Sequence, residues 1–285
     1  MTIYLAYQKL LAKLYDVYDE REAANITDML IEFVTGQRKI DRIMFKDLPV
    51  NDQQQKQLEN YTDELLAHKP IQYVIGEVWF MGMKLKVNNH VLIPRPETEE
   101  LVDWIVNDIR RDEKENISLI DIGTGSGCIP IAVKKWLKEI NASAVDISEE
   151  ALQLALINSI EQQVLVDFIH LDFLKENEWR QLAKYDIVVS NPPYIRQSEK
   201  ETMNKNVLNY EPHIALFVPN EDPLLFYKAL AKFGLQHLKE NGILYMEINE
   251  ALGDLVVQLF HENGYTQIDL KKDLQGKNRM VKAKR

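Results

Sequence analysis

Asn191-Pro192-Pro193-Tyr194 is the run of residues in this chain best suited to chemistry. It follows Tyr185-Asp186-Ile187-Val188-Val189-Ser190, an apolar run that reads as a buried parallel strand. In open α/β sheets, ligands bind in the crevice beyond the carboxyl ends of the strands. Two successive prolines there fix two φ angles and remove two N–H donors, leaving carbonyls exposed as acceptors. Asn191 adds an amide carbonyl and Tyr194 an aromatic face. Together they make a rigid clamp for a planar group that donates two hydrogen bonds, such as an NH2 on an sp² centre. The same four residues also fit a strand that simply ends in a Pro-Pro turn.

Three further clues lie upstream. Asp121-Ile122-Gly123-Thr124-Gly125-Ser126-Gly127 stands where a strand turns into a helix. Glycines there let the backbone approach a ligand, and the helix start offers free N–H groups. Nucleotides, dinucleotides and S-adenosylmethionine (SAM) all use such turns, but the third glycine comes one residue early for G-x-G-x-x-G, which lowers the dinucleotide reading. Asp146 ends the next strand and suits the hydroxyls of a ribose. Asp172-Phe173 follows the third strand and suits an adenine amino group and ring face. Each has a plain structural alternative: a turn acid for Asp146, a core Phe beside a turn Asp for the pair. What separates them from chance is their order, each at the end of a successive strand.

The elements that must position these residues fall into two grammars. Up to about residue 70 the pattern is helical. Leu5, Tyr7, Leu10, Leu11, Leu14, Tyr15 and Tyr18 make one apolar stripe, and Ala23, Ile26, Met29, Leu30, Phe33 and Val34 a second, with Gly36 as its C-terminal cap. Asn51 or Asp52 caps a third helix that Pro70 closes. Residues 71–93 read as a connecting segment with a hairpin around Gly82. From 94 onward a helix opens at Pro94-Arg95-Pro96-Glu97-Thr98, and from 117 strands and helices alternate, which implies a largely parallel sheet covered on both faces. The predicted organisation is a small N-terminal helical bundle domain at 1–70, a connecting β-hairpin at 71–93 and an α/β domain at 94–285.

Composition limits the rest. The balance of 34 basic against 44 acidic residues gives a net charge of −10, which argues against a protein whose main task is gripping a nucleic-acid backbone. One cysteine, Cys128, rules out an internal disulfide, and the six histidines show no zinc-type spacing, so no metal site is expected. No 18-residue apolar stretch and no signal-peptide pattern appear, so the expected address is the cytoplasm, away from any membrane.

In this order of motifs the chain resembles the SAM-dependent methyltransferases of the Asn-Pro-Pro-Tyr type and, within them, the release-factor glutamine methyltransferases (the HemK/PrmC family). Pro70-Ile71-Gln72-Tyr73-Val74-Ile75-Gly76, Leu92-Ile93-Pro94-Arg95-Pro96-Glu97-Thr98-Glu99, Asp121 to Gly127, Asn191 to Ile195 and Tyr210-Glu211-Pro212 look like family signatures. Two departures stand out: Pro130 replaces a small helix former, and Phe217-Val218-Pro219-Asn220-Glu221-Asp222-Pro223 lacks glycines expected there. The resemblance implies a Rossmann-like SAM-dependent methyltransferase sheet and SAM as cofactor. It implies methyl transfer to the side-chain amide nitrogen (N5) of the glutamine in the Gly-Gly-Gln motif of peptide chain release factors. Those release factors would be protein partners, recognised by the N-terminal domain, with no stable nucleic-acid partner.

On that reading Asp121, Gly123, Thr124, Gly125, Ser126, Gly127, Asp146, Asp172, Phe173 and Asn191 hold the cofactor. Asn191, Pro192 and Tyr194 carry the transfer, while Pro193 and Arg95 join them in holding the substrate. Arg95 either orders the loop, meets the substrate or forms a surface ion pair. Glu211 caps a turn or lines the entrance, and Glu247 either supports the site from behind or is solvated. The rival with the same cofactor is an adenine-N6 methyltransferase acting on nucleic acid, since an adenine amino group presents the same donor pair. A rival from another class is a catalytically silent SAM-fold binding module.

Overall fold

The structure is a computed structural model that describes residues 1–112 and 116–285. The chain divides into two compact units, Met1–Glu77 with Asn204–Tyr210 and Val78–Met203 with Glu211–Arg285.

In the first unit, helices α1 (Ile3–Leu14), α2 (Glu20–Thr35), α3 (Lys39–Met44), α4 (Asp52–Leu66) and α5 (Ile71–Ile75) share one apolar cluster. The buried stripe of α1 runs through Ile3, Ala6, Leu10 and Leu14, so Leu5 and Tyr15, predicted to lie on it, face solvent. The caps follow the sequence. Asp19 accepts from the Glu22 N–H (2.9 Å), Gly36 closes α2 at φ 71°, and Asn51 forms a reciprocal capping box with Gln54 (2.8 and 3.1 Å). Helix α3 is not anticipated by periodicity because six residues span less than two turns. The predicted hairpin forms as β1 (Glu77–Phe80) and β2 (Met83–Lys86), preceded by the short helix α5.

The second unit continues with α6 (Pro96–Asp112), β3 (Ser118–Ile122), α7 (Cys128–Trp136), β4 (Asn141–Asp146), α8 (Glu149–Glu161), β5 (Val166–His170), β6 (Tyr185–Ser190) and β7 (Ile195–Arg196). After α9 (Lys205–Tyr210), which belongs to the first unit, come β8 (Phe217–Val218), α10 (Leu225–His237), β9 (Leu238–Glu247), α11 (Gly253–Glu262), β10 (Thr266–Lys272) and β11 (Asn278–Lys284). Seven strands form one sheet in the order β10-β11-β9-β6-β3-β4-β5. The five from β9 to β5 are parallel, and β11 pairs antiparallel with both β9 and β10.

Both faces of the sheet are buried, so its central strands carry apolar residues on alternate sides. Leu119 packs with Leu101, Val102 and Ile105 of α6, whereas its neighbour Ile120 packs with Tyr227, Leu230 and Phe233 of α10. Pro130 sits in the first turn of α7, where its missing N–H removes no intrahelical bond. The glycine-poor stretch after Leu216 is held by strand pairing: Ile195 pairs with Phe217 and Arg196 with Val218, and Asn220 Oδ1 accepts from the Ser198 N–H (2.9 Å).

The register aligns the carboxyl ends of the parallel strands. Ile122 pairs with Val145 and Ser190, Asp146 with His170, and Ser190 with Met246. The chain leaves β3 toward β4 on one side while β6 flanks it on the other, so this edge is the switch point of the sheet. Gly123, Asp146, Asn191 and Glu247 therefore stand on one edge.

Candidate active site

The turn after β3 is built around its glycines. Gly123 and Thr124 both donate their N–H to the Val145 carbonyl (2.9 and 3.0 Å), and the Gly127 N–H closes on the Thr124 carbonyl (2.9 Å). All three glycines have positive φ, but they serve different ends. A Cβ on Gly123 or Gly125 would meet nothing within 4 Å, whereas one on Gly127 would lie 2.9 Å from Ile131 Cδ1 and 3.0 Å from Ala155 Cβ. The first two leave open space above the turn; the third lets α7 pack against α8.

Acidic groups gather around that space. Asp146 accepts the Gly125 N–H on Oδ2 (2.8 Å) and the Ser148 N–H on Oδ1 (3.0 Å), so it locks the turn while retaining lone pairs for a ligand. Burial raises its carboxyl pKa, against the pull of those N–H groups. Asp121 is fully buried, and neither of its oxygens nor the Thr124 hydroxyl has a hydrogen-bond partner among the described residues. Burial lifts the Asp121 carboxyl to about 7, with Thr124 close by lowering it and Asp146 raising it. Buried polar atoms without protein partners are uncommon and mark a place where a ligand or water completes the set.

Farther along the edge, Phe173 is 6% exposed and stacks on Trp179 at 5.4 Å, with Phe233 edge-on at 5.3 Å. It is at once a core residue and part of a cavity wall. Asp172 beside it turns its own chain, accepting from the Leu174 N–H (3.1 Å), and pairs with Lys175 (3.3 Å).

The Asn191 carboxamide donates from Nδ2 to Thr98 Oγ1 (3.1 Å), and the Thr98 hydroxyl donates to Glu247 Oε2 (2.7 Å). The other oxygen of Glu247 accepts from the Tyr194 hydroxyl (3.0 Å). Glu247 is 1% exposed, so the solvated alternative does not hold. Burial raises its pKa, opposed by the two hydroxyls and by Arg279. The Tyr194 phenol is pushed far up, first by burial and then by Glu247. The Arg95 guanidinium forms an ion pair with Glu211 (2.5 Å), whose side chain is nearly inaccessible and also accepts from the Ile93 N–H (3.4 Å). This pair is not a surface one.

One cavity is lined by Arg95, Thr98, Gly123, Thr124, Gly125, Ser126, Asp146, Asp172, Phe173, Asn191, Pro192 and Pro193, together with apolar residues such as Ile147, Leu171 and Phe226. Asp121 and Gly127 are not among its lining residues, and Tyr194 is turned away with its ring against the core, not offered to the cavity as an aromatic face. Sequence reading missed Thr98 as a site residue. Its place in the Pro-Arg-Pro-Glu-Thr segment was the available signal, but only the fold brings α6 against the end of β9. Among the described residues no cluster of His, Cys, Asp or Glu is arranged for a metal, and no helix is long and apolar enough to cross a membrane.

The donor set fits SAM. Open space over Gly123 and Gly125, the unpartnered Thr124 hydroxyl, and carboxylates at Asp146 and Asp172 suit a cation carrying hydroxyls and an amino group. Phe173 in the wall suits a flat base.

Comparison with known proteins agrees with this geometry. The family described as PrmC N-terminal domain matches residues 6–76, and Methyltransferase small domain matches residues 102–210. The chain is 40% identical over 271 residues to a release factor glutamine methyltransferase of Flavobacterium psychrophilum, covering 95% of this chain and 94% of that protein. It is 41% identical over 272 residues to one from Bacteroides thetaiotaomicron, covering 95% and 96%. Among solved structures, the hMettl16 catalytic domain in complex with an RNA hairpin aligns with a TM-score of 0.54 at 16% identity, covering 83% of this chain and 82% of that one. At that identity the likeness speaks for the fold.

Proposed function

The chain belongs to the release factor glutamine methyltransferase family, and from that premise we propose that it methylates the side-chain amide nitrogen (N5) of the glutamine in the Gly-Gly-Gln motif of peptide chain release factors. The observation that carries this reading is an Asn191-Pro192 acceptor pair on the wall of the same cavity as the glycine turn, Asp146, Asp172 and Phe173. SAM, when bound, supplies an electrophilic methyl on a sulfonium. Everything else falls to the chain's own groups.

An amide nitrogen is a poor nucleophile because its lone pair is shared with the carbonyl. Asn191 Oδ1 and the Pro192 carbonyl accept its two N–H bonds, which aims the nitrogen and favours the positive charge that would grow on it as the new N–C bond forms and the S–C bond breaks, leaving its electron pair on sulfur. Holding two reactants in line removes on the order of 7–11 kcal/mol of the barrier. The proton leaves the nitrogen for solvent after transfer, so no strong base is required. Gly123, Thr124, Gly125, Asp146, Asp172 and Phe173, all on the cavity wall, would hold the cofactor, while Asp121 lies outside that wall. Pro193 stiffens the turn, and Arg95 stands at the cavity wall with Glu211. The first unit recognises the protein substrate. The adenine-N6 alternative is not favoured, since the close relatives carry the release-factor name.

Radiolabelled SAM incubated with purified release factor tests the reading. Asn191→Ala should lower methyl incorporation by at least a hundred-fold while SAM affinity stays within a few-fold. Undiminished incorporation would refute the role of Asn191, and no incorporation by the unaltered chain would refute the substrate.

A further inference from the structure

The Asn191 carboxamide has two ends of similar shape, and only one can accept an N–H. In its ionised form the Glu247 carboxylate accepts and never donates. Glu247 takes the protons of both hydroxyls that reach it, Thr98 at 2.7 Å and Tyr194 at 3.0 Å. With its proton committed to Glu247, Thr98 Oγ1 can serve Asn191 only as an acceptor. The Asn191 NH2 answers it at 3.1 Å. A reversed amide would set Oδ1 against an oxygen with no proton to share, which costs a buried acceptor its partner.

The same carboxylate fixes the far end of the turn. The Tyr194 ring is held through its hydroxyl, and its carbonyl accepts from Asn249 Nδ2 (3.3 Å), two residues beyond Glu247. Pro192 and Pro193, between these two anchors, add two fixed φ angles.

We infer that Thr98 and Glu247 are positioning residues for methyl transfer: a directed chain of hydrogen bonds from α6 and β9 keeps Asn191 Oδ1, not Nδ2, turned to the incoming NH2. The inference rests on the acceptor role of Asn191 stated above. Thr98 sits at the start of α6 and Glu247 at the end of β9, 149 residues apart in sequence, which is why neither identity announces the relay. Thr98 is 2% exposed, and its hydroxyl has one donor and one acceptor partner in the relay.

Two measurements on the full chain test it. In 15N-labelled protein without substrate, the Asn191 side-chain NH2 should show a hydrogen-bonded, slowly exchanging proton, lost in Thr98→Val and kept in Thr98→Ser. In single-turnover assays on a release factor, Thr98→Val should lower the transfer rate at least ten-fold with SAM affinity within two-fold, and Thr98→Ser should stay within three-fold. Introduced into Asn191→Ala, Thr98→Val should change the rate by less than two-fold, because the two act as one unit. Equal losses from Thr98→Val with and without Asn191 would overturn the relay, as would a free, fast-exchanging Asn191 NH2 in the unaltered protein. The NMR reading on the unaltered protein needs neither substrate nor variant, so it stands apart from any failure of the proposed substrate.

Discussion

Asn158 meets Lys86 as one β-residue meets another: its Oδ1 accepts the Lys86 N–H at 2.7 Å and its Nδ2 returns a bond to the Lys86 carbonyl at 3.0 Å. The same Nδ2 also donates to the Ser126 carbonyl at 2.9 Å. One buried side chain on α8 thus joins the hairpin to the glycine turn. Asn158→Ala removes a partner from three backbone groups at once. Leaving buried polar groups unsatisfied costs about 1–3 kcal/mol each, partly relieved by water. A loss of about 2–4 kcal/mol is expected in urea unfolding, together with several-fold weaker SAM binding by calorimetry. Unchanged SAM affinity would show that the turn holds its shape without this tie.

The glycines of the turn should separate stability from binding. Gly127→Ala places a Cβ against Ile131 and Ala155 at φ 78°, so both strain and overpacking act, each about 1–3 kcal/mol. Gly125→Ala meets open space at φ 53° and bears only the strain. Gly127→Ala should therefore lower Tm more, and Gly125→Ala should weaken SAM at least ten-fold with the smaller Tm change. The reverse order in paired thermal melts and titrations would refute the division.

Much of this was legible in the sequence because local rules and the global fold agree. The alternation of apolar strands with capped helices specifies the parallel sheet, and the strand ends put Gly123, Asp146, Asp172 and Asn191 on one edge. What was hidden depends on long-range contact. Glu247 reads as a polar strand end until Thr98 and Tyr194 are brought onto its two oxygens. Tyr194 reads as a ligand-facing aromatic until its hydroxyl finds Glu247 and turns the ring toward the core. Asn158 carries no local sign at all, since its partners lie 72 and 32 residues away.

Asp121 should leave a signature in the pH dependence of stability. Its carboxyl is raised from 3.8 to about 7 in the folded chain, chiefly by burial. Between those values the folded protein holds a proton that the unfolded chain has released, so stability falls as pH rises through that window. Asp121→Asn abolishes this titration. Unfolding free energies of the cofactor-free protein at pH 5 and pH 7.5 should drop more for the unaltered chain than for Asp121→Asn, by on the order of a few kcal/mol. Parallel slopes for the two proteins would show that Asp121 titrates as in an exposed peptide.

Arg95 and Glu211 allow the structural and substrate roles of the cavity wall to be separated. Glu211 is nearly inaccessible and its pKa is raised by burial, with Arg95 pulling it back down. Arg95→Met leaves that carboxylate unpaired, a loss of about 3–5 kcal/mol for a buried pair, and toward the lower figure here because Arg95 is a third exposed. Without the guanidinium the folded carboxyl holds its proton to still higher pH, so the deficit against the unaltered protein should grow from pH 5 to pH 8. Arg95→Met combined with Glu211→Met removes both charges and should recover most of the stability. If Arg95 only supports the loop, the double variant regains KM for the release factor along with its fold. If the guanidinium also meets the substrate, stability returns while KM stays raised at least five-fold, and steady-state kinetics on the double variant decides between the two.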